Sequence, residues 1–263
     1  GRGAARMASS RAVTSQEGGV GKTTTAINLS AYLALAGAQV LLVDLDPQSN
    51  ATSGIGLEGP ERSHLPDILE GRMQWSRACQ PTPIPNLRCL PSSLHLQVPI
   101  HESQARGAGA PRLKESWNDS ELDYVILDCP PSLGPMTDLA LGLADAVLIP
   151  VQCEYFAMEG LAQVLARVRQ AEQELDRSIE LEGLVLTLYS PEVDLCLDVA
   201  REVQRYFPQE TLETPILRDS TLAEATSHGK PISLYDPRSP GAWSYMNLAK
   251  EILKHESNTR TRA

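Results

Sequence analysis

The chain has 263 residues, 42% of them apolar and 21% charged, with a formal net charge of −10. Such a length builds one large α/β domain with a buried core, and the composition is that of an ordinary globular protein. The acidic balance excludes passive binding of nucleic acid or anionic membrane across the whole surface, and no apolar stretch reaches the ~20 residues that span a bilayer. Gly1 to Ser10 is small, polar and slightly basic, with Met7 inside it. Lacking the apolar segment of a secretory signal, residues 1–10 read as a disordered leader. The Gly-rich segment Gly18–Thr24 comes next and opens a helix over Thr23–Ala36, closed by Gly37 as a left-handed cap. Leu41–Val43 is a buried strand. Residues 54–118 carry many prolines and read as loops and short helices, with one strand near Leu87–Leu90. Strands follow at Tyr124–Leu127, Ala146–Ile149 and Leu184–Leu186, and helices at Met136–Ala144, Met158–Leu175 and Leu197–Tyr206. Leu248, Ala249, Ile252 and Leu253 form a stripe read as core packing rather than a membrane anchor, and residues 256–263 read as a frayed tail.

Nearly unbroken apolar strands alternating with helices are the pattern of a parallel sheet buried on both faces. The fold class is therefore α/β, a doubly wound, mostly parallel sheet flanked by helices, in a single domain over residues 11–255. Five scattered cysteines (Cys79, Cys89, Cys129, Cys153, Cys196) have no metal-ligand spacing and read as reduced thiols of a cytoplasmic protein.

Gly18-Gly19-Val20-Gly21-Lys22-Thr23-Thr24 carries the chemistry. Three glycines in four positions let backbone N–H groups turn inward around phosphate oxygens, where a Cβ would collide. Lys22 can reach the β- and γ-phosphates, the Thr23 hydroxyl can ligate Mg²⁺, and the helix start adds its positive end. The general phosphate-loop pattern has a glycine five positions before Gly21, where this chain has Gln16, so the loop is a variant one.

That loop, with Val43-Asp44-Leu45-Asp46-Pro47-Gln48 and Asp128-Cys129-Pro130-Pro131-Ser132, resembles the ParA/Soj partition ATPases with a deviant Walker A motif. Pro150–Gly160 and Ser227-His228-Gly229-Lys230-Pro231-Ile232 are similar too, and the resemblance runs from about residue 12 to 253. It implies a P-loop fold that binds ATP or ADP with Mg²⁺, hydrolyses ATP slowly, and forms a homodimer when ATP-bound. The function implied is chromosome or plasmid partitioning with a ParB/Spo0J-like partner, and with no membrane. Nucleotide contacts fall on residues 17–24, namely Glu17, Gly18, Gly19, Val20, Gly21, Lys22, Thr23 and Thr24. Lys22 and Asp46 take the catalytic roles, Asp46 positioning the attacking water. Thr23 would hold Mg²⁺ directly, and Asp128 and Asp46 through water. Asp44 falls nearer the metal shell or is structural. Asp138 and Asp145 read as solvated or capping residues.

Three departures qualify the resemblance. Glu17 stands where it implies a lysine that reaches across the dimer to the partner's phosphates. A carboxylate there repels triphosphate by about 1–4 kcal/mol. An alternative reading follows: a nucleotide-binding regulator with impaired dimerisation, hydrolysis and DNA binding. Non-specific DNA binding is implied through arginines of two loops, but Glu192 and Thr221 occupy two of those places and Arg218 remains. Each lost phosphate contact lowers affinity and flattens the salt dependence. Arg201, Arg205, Lys250 and Lys254 read as ordinary solvated helix faces. Finally, Ser9–Thr14, the strand before the loop, is short and partly polar for a central strand, which predicts modest stability.

Overall fold

The computed structural model describes residues 7–16, 18–19, 21–93 and 109–262, with side chains described as far as residue 257. Seven strands make one sheet: β1 (Ser9–Val13), β2 (Val40–Asp44), β3 (Gln80–Pro81), β4 (Leu87–Leu90), β5 (Tyr124–Asp128), β6 (Ala146–Gln152) and β7 (Glu180–Thr187). Their order is β3-β4-β2-β5-β1-β6-β7, with every pairing parallel except β3 on β4 at the edge. The helices are α1 (Lys22–Leu35), α2 (Asn50–Gly54), α3 (Leu65–Leu69), α4 (Trp75–Ala78), α5 (Gly109–Asn118), α6 (Pro135–Leu143), α7 (Ala157–Leu175), α8 (Asp194–Tyr206), α9 (Ser220–Ser227), α10 (Ile232–Tyr235) and α11 (Pro240–Arg262).

The two-residue repeat of a strand explains why β2 and β5 are apolar up to their final aspartates, since both faces are buried. Leu41, Val43, Val125 and Leu127 face one core with Leu113 of α5, Leu139 of α6, Val164 of α7 and Val199 of α8. Val40, Leu42 and Ile126 face the other with Leu29 of α1, Leu222 of α9 and Leu248 of α11. Each such leucine contributes roughly 1.5–3 kcal/mol by leaving water. The C-terminal stripe packs as the sequence predicts: Leu248, Ala249 and Ile252 are buried in that second core, with Leu253 against it. Gly37 sits at φ 98, just past the end of α1, and donates its N–H to Ala34 O.

Several expectations need correction. The leader cannot extend to residue 10, because Ser9 and Ser10 belong to β1, in the middle of the sheet between β5 and β6. The tail does not begin at residue 256, because α11 continues to Arg262 and Glu256 is bonded into the body of the protein. In the irregular stretch β4 lies within the sheet beside β2, and the two-residue β3 that covers it was not foreseen. Asp138 is not solvated but forms a largely shielded ion pair with Arg167.

The polarity of β1 has a physical account. Ser10 N–H donates to Asp145 Oδ2 at 2.9 Å, and Ser10 Oγ lies 2.7 Å from Leu143 O and 2.8 Å from Asp145 Oδ2. Asp145 in turn pairs with Lys114 at 2.5 Å. Arg11, 3% exposed, donates from Nε to Glu182 of β7 at 2.6 Å and from Nη2 to Glu256 of α11 at 2.5 Å. Its guanidinium carbon lies 5.0 Å from the Tyr124 ring centroid, and Tyr124 OH donates to Glu256 Oε2 at 2.6 Å. Buried charge is tolerated where it is paired and its hydrogen-bonding capacity is filled. Arg11 meets both conditions.

Candidate active site

The loop between β1 and α1 lies at the carboxyl ends of the strands, where open α/β sheets hold ligands. Gly19 and Gly21 both take φ +80, a left-handed backbone that other residues reach only with strain. Gly21 is the N-cap of α1, and no side chain caps that helix. Its first N–H groups are therefore available to an anion. Glu17 and Val20 fall outside the described residues.

Behind the loop lie three aspartates on two neighbouring strand ends. Asp44 ends β2 and Asp128 ends β5, and the two are direct partners in the strand register. Asp128 is fully buried. Its Oδ2 accepts a hydrogen bond from Thr23 Oγ1 at 2.9 Å, and Lys22 Nζ lies 3.7 Å from Oδ1. That ion pair is too long for a hydrogen bond, and Oδ1 accepts none from the described residues. Burial pushes the Asp128 carboxyl up to about 6, against the opposing pull of Lys22. Asp44 is pushed up to about 7, first by burial and then by the charge of Asp128, against hydrogen bonds from Thr52 and Asp46. Asp46 is 3% exposed, and its Oδ1 accepts from Gln48 N–H at 3.0 Å.

A cavity of about 630 Å³ opens on this cluster. Gly18, Gly19, Gly21, Lys22, Thr23, Thr24 and Asp46 form its inner end, and Asn50, Ser53 and Pro131 its rim. Its outer wall is built from distant chain: Thr187 at the end of β7 and Leu188 just after it, Leu217 and Asp219 before α9, and Tyr245 of α11. The sequence reading missed that wall. Leu188 sits at φ 50 with no local sign of it, whereas Asp219 had one. An Asp before Ser-Thr-Leu is an N-cap pattern, and its Oδ1 does accept from Thr221 N–H at 2.9 Å.

Thr23 hydroxyl, Asp128 and Asp46 are hard oxygen donors, and the bare Asp128 Oδ1 is a buried acceptor without a hydrogen. Among the described residues no three His, Cys, Asp or Glu side chains converge to hold a metal by themselves. The set fits Mg²⁺, which keeps several waters and takes one or two carboxylates with phosphate oxygens rather than a full protein cage.

The comparisons agree with this geometry. Residues 9–181 match the family model described as an AAA domain. The chain is 44% identical over 245 residues to the sporulation initiation inhibitor protein Soj of Bacillus subtilis, covering 92% of this chain and 96% of that protein. It is 41% identical over 244 residues to the chromosome-partitioning ATPase Soj of Treponema pallidum, covering 92% and 95%. This chain belongs to the ParA/Soj family. A crystal structure of the cobyrinic acid a,c-diamide synthase of Mycobacterium smegmatis with bound ADP and magnesium is similar in fold. Its TM-score is 0.79 at 30% identity, covering 95% of this chain and 96% of that one.

As a ParA/Soj protein the chain places its remaining expected residues unevenly. Arg218 is exposed beyond the outer wall of the cavity, its N–H donating to Tyr189 O at 2.9 Å. Thr221 is half-buried in the first turn of α9, and Glu192 is exposed in the turn before α8. Arg201, Arg205, Lys250 and Lys254 are exposed, and Arg201 pairs with Asp198 on its own helix at 3.2 Å. Among the described residues no helix is long and apolar enough to cross a membrane.

Proposed function

We propose that this ParA/Soj protein binds ATP with Mg²⁺ in the cavity between the loop and Tyr245, and hydrolyses it slowly as a switch in chromosome or plasmid partitioning. The observation that carries the reading is the trio of Lys22, Thr23 and Asp128. A lysine and a hydroxyl at a helix start converge on one buried carboxylate, which is the arrangement that phosphate with a hard cation requires.

Thr23 and Asp128 would hold Mg²⁺, which would supply positive charge against the phosphates. Thr23 Oγ1 would turn from Asp128 to the metal, and Asp128 would hold the metal's water. The α1 N–H groups and Lys22 Nζ would take the phosphate oxygens. Asp46 would orient a water whose oxygen bonds to the γ-phosphorus as the bond to the β–γ bridging oxygen breaks, releasing ADP and phosphate. The ATP state is a homodimer and the ADP state a monomer, working in the cytoplasm with a ParB-like partner. DNA contact through Arg218 is weak, because Glu192 and Thr221 supply no phosphate contact.

Glu17 favours a second reading, a nucleotide-holding regulator that does not complete the cycle, because the sequence has a carboxylate where the family resemblance implies a lysine that meets phosphate. The solution mass of Asp46→Ala with Mg²⁺ and ATP, then ADP, separates the two. A dimer only with ATP is expected. A monomer in both, with ATP bound and a dimer restored by Glu17→Lys, would establish the regulator instead.

A further inference from the structure

The geometry points to Thr52 as a positioning residue for the hydrolysis, acting through Asp44 on the turn that carries Asp46. The inference rests on the reading of Asp46 as the residue that orients water.

Asp46 follows β2 on a short turn before α2, and a turn of that kind needs an anchor to hold one carboxylate in line with a phosphorus atom. Asp46 N–H donates to Asp44 Oδ1 at 3.0 Å. The other oxygen of Asp44 accepts twice from Thr52, from its N–H at 2.8 Å and from its hydroxyl at 2.7 Å. The Thr52 oxygen in turn accepts from Ser92 N–H at 3.0 Å, beyond the end of β4. All four groups are buried, with Thr52 and Ser92 each 1% exposed. One hydroxyl thus ties the Asp46 turn to α2 and to the strand on the far side of β2.

α2 divides its side chains by role. Asn50 and Ser53 line the cavity, whereas Thr52 points inward to Asp44. A contact felt by Ser53 or Asn50 is therefore one or two residues away from the post that sets Asp46. Thr52 touches no part of the cavity itself, so it does not belong to the catalytic group. Its hydroxyl is also more than a space-filler, because it donates to Asp44 and accepts from Ser92 at once.

The test is turnover and nucleotide affinity in Thr52→Val, Thr52→Ser, Asp46→Ala and the double variant Thr52→Val with Asp46→Ala. Thr52→Val keeps the shape and the N–H but loses the hydroxyl. Its kcat is expected to fall about tenfold, as for a misplaced catalytic group, with KM and the affinity for ATP within about twofold. Thr52→Ser restores the rate. In the Asp46→Ala background Thr52→Val changes nothing further. Amide hydrogen exchange over residues 44–49 quickens in Thr52→Val and returns in Thr52→Ser. An equal fall on both backgrounds would show that Thr52 acts by some route other than Asp46, and unchanged kcat in Thr52→Val would remove its role altogether. Full turnover in Asp46→Ala would instead overturn the reading of Asp46, and this inference with it.

Discussion

The two margins at which the strands begin and end both bury charge, and they treat it in opposite ways. At the amino-terminal edge Arg11 is shared between Glu182 and Glu256 and stacked on Tyr124, which itself donates to Glu256. Burial alone would lower its pKa, yet the two carboxylates outweigh that and raise it. At the carboxyl-terminal edge Asp44 and Asp128 stand side by side as like charges, both pushed up, and one oxygen of Asp128 accepts no hydrogen bond from the described residues. A charge that only has to hold the fold is fully matched. A charge left unmatched marks a candidate functional site, the one proposed for a cation and phosphates.

Breaking the matched edge should give the largest effect. Arg11→Met leaves two carboxylates near each other without their cation, and removing one partner of a buried pair destabilises by about 3–5 kcal/mol. A urea midpoint equal to that of the unaltered protein would show that the cluster holds nothing.

The unmatched edge should respond in the other direction. Without nucleotide and Mg²⁺, Asp128→Asn removes a like charge and stabilises the protein by on the order of 1 kcal/mol near pH 8. The sign follows from the raised pKa. The folded Asp128 retains its proton up to about 6, above the ~3.9 of an unfolded aspartate. The native form then binds more protons between those values, and it loses stability as pH rises through about 6. The advantage of the variant should therefore grow across that range and fade toward pH 4. With Mg²⁺ and ATP the order is expected to reverse, because the variant lacks the carboxylate proposed to hold the metal through water. Melting curves at both pH values, with and without ligand, check this, and a variant less stable than its parent in every condition would contradict it.

A smaller change sharpens the comparison on the matched side. Ser10→Ala removes a hydroxyl that lies between Leu143 O and Asp145, and should cost about 1 kcal/mol by the same urea measurement. A loss as large as that of Arg11→Met would mean that β1 is held mainly by its serine rather than by its arginine.

Legibility in the sequence followed the range of each interaction. The loop at residues 18–24 is read from seven consecutive residues, and β2, β5 and β6 from their apolar runs, because both depend on neighbours in the chain. Thr23, Lys22 and Asp128 were named and do come together, although Asp128 is 105 residues from Thr23. The signal there was a strand-end carboxylate before Cys-Pro-Pro-Ser. Arg11 looked like a defect in a central strand because its partners lie 171 and 245 residues away, and no local pattern announces them. The outer wall of the cavity was equally invisible. Thr187, Asp219 and Tyr245 become neighbours only when β7, α9 and α11 are packed. The backbone of Leu188 is set by that packing and not by leucine itself.

The run of α11 bears on how short a working version of this protein can be. Tyr245 shares a hydrogen bond with Thr25, just past the phosphate loop, at 2.9 Å, while Glu256 about three turns later closes the Arg11 cluster. A chain trimmed at residue 255 would therefore lose more than a loose end. It would strip one of the two counter-ions from the arginine of β1, leaving only Glu182, and a tag meant to leave the molecule undisturbed belongs well beyond that glutamate.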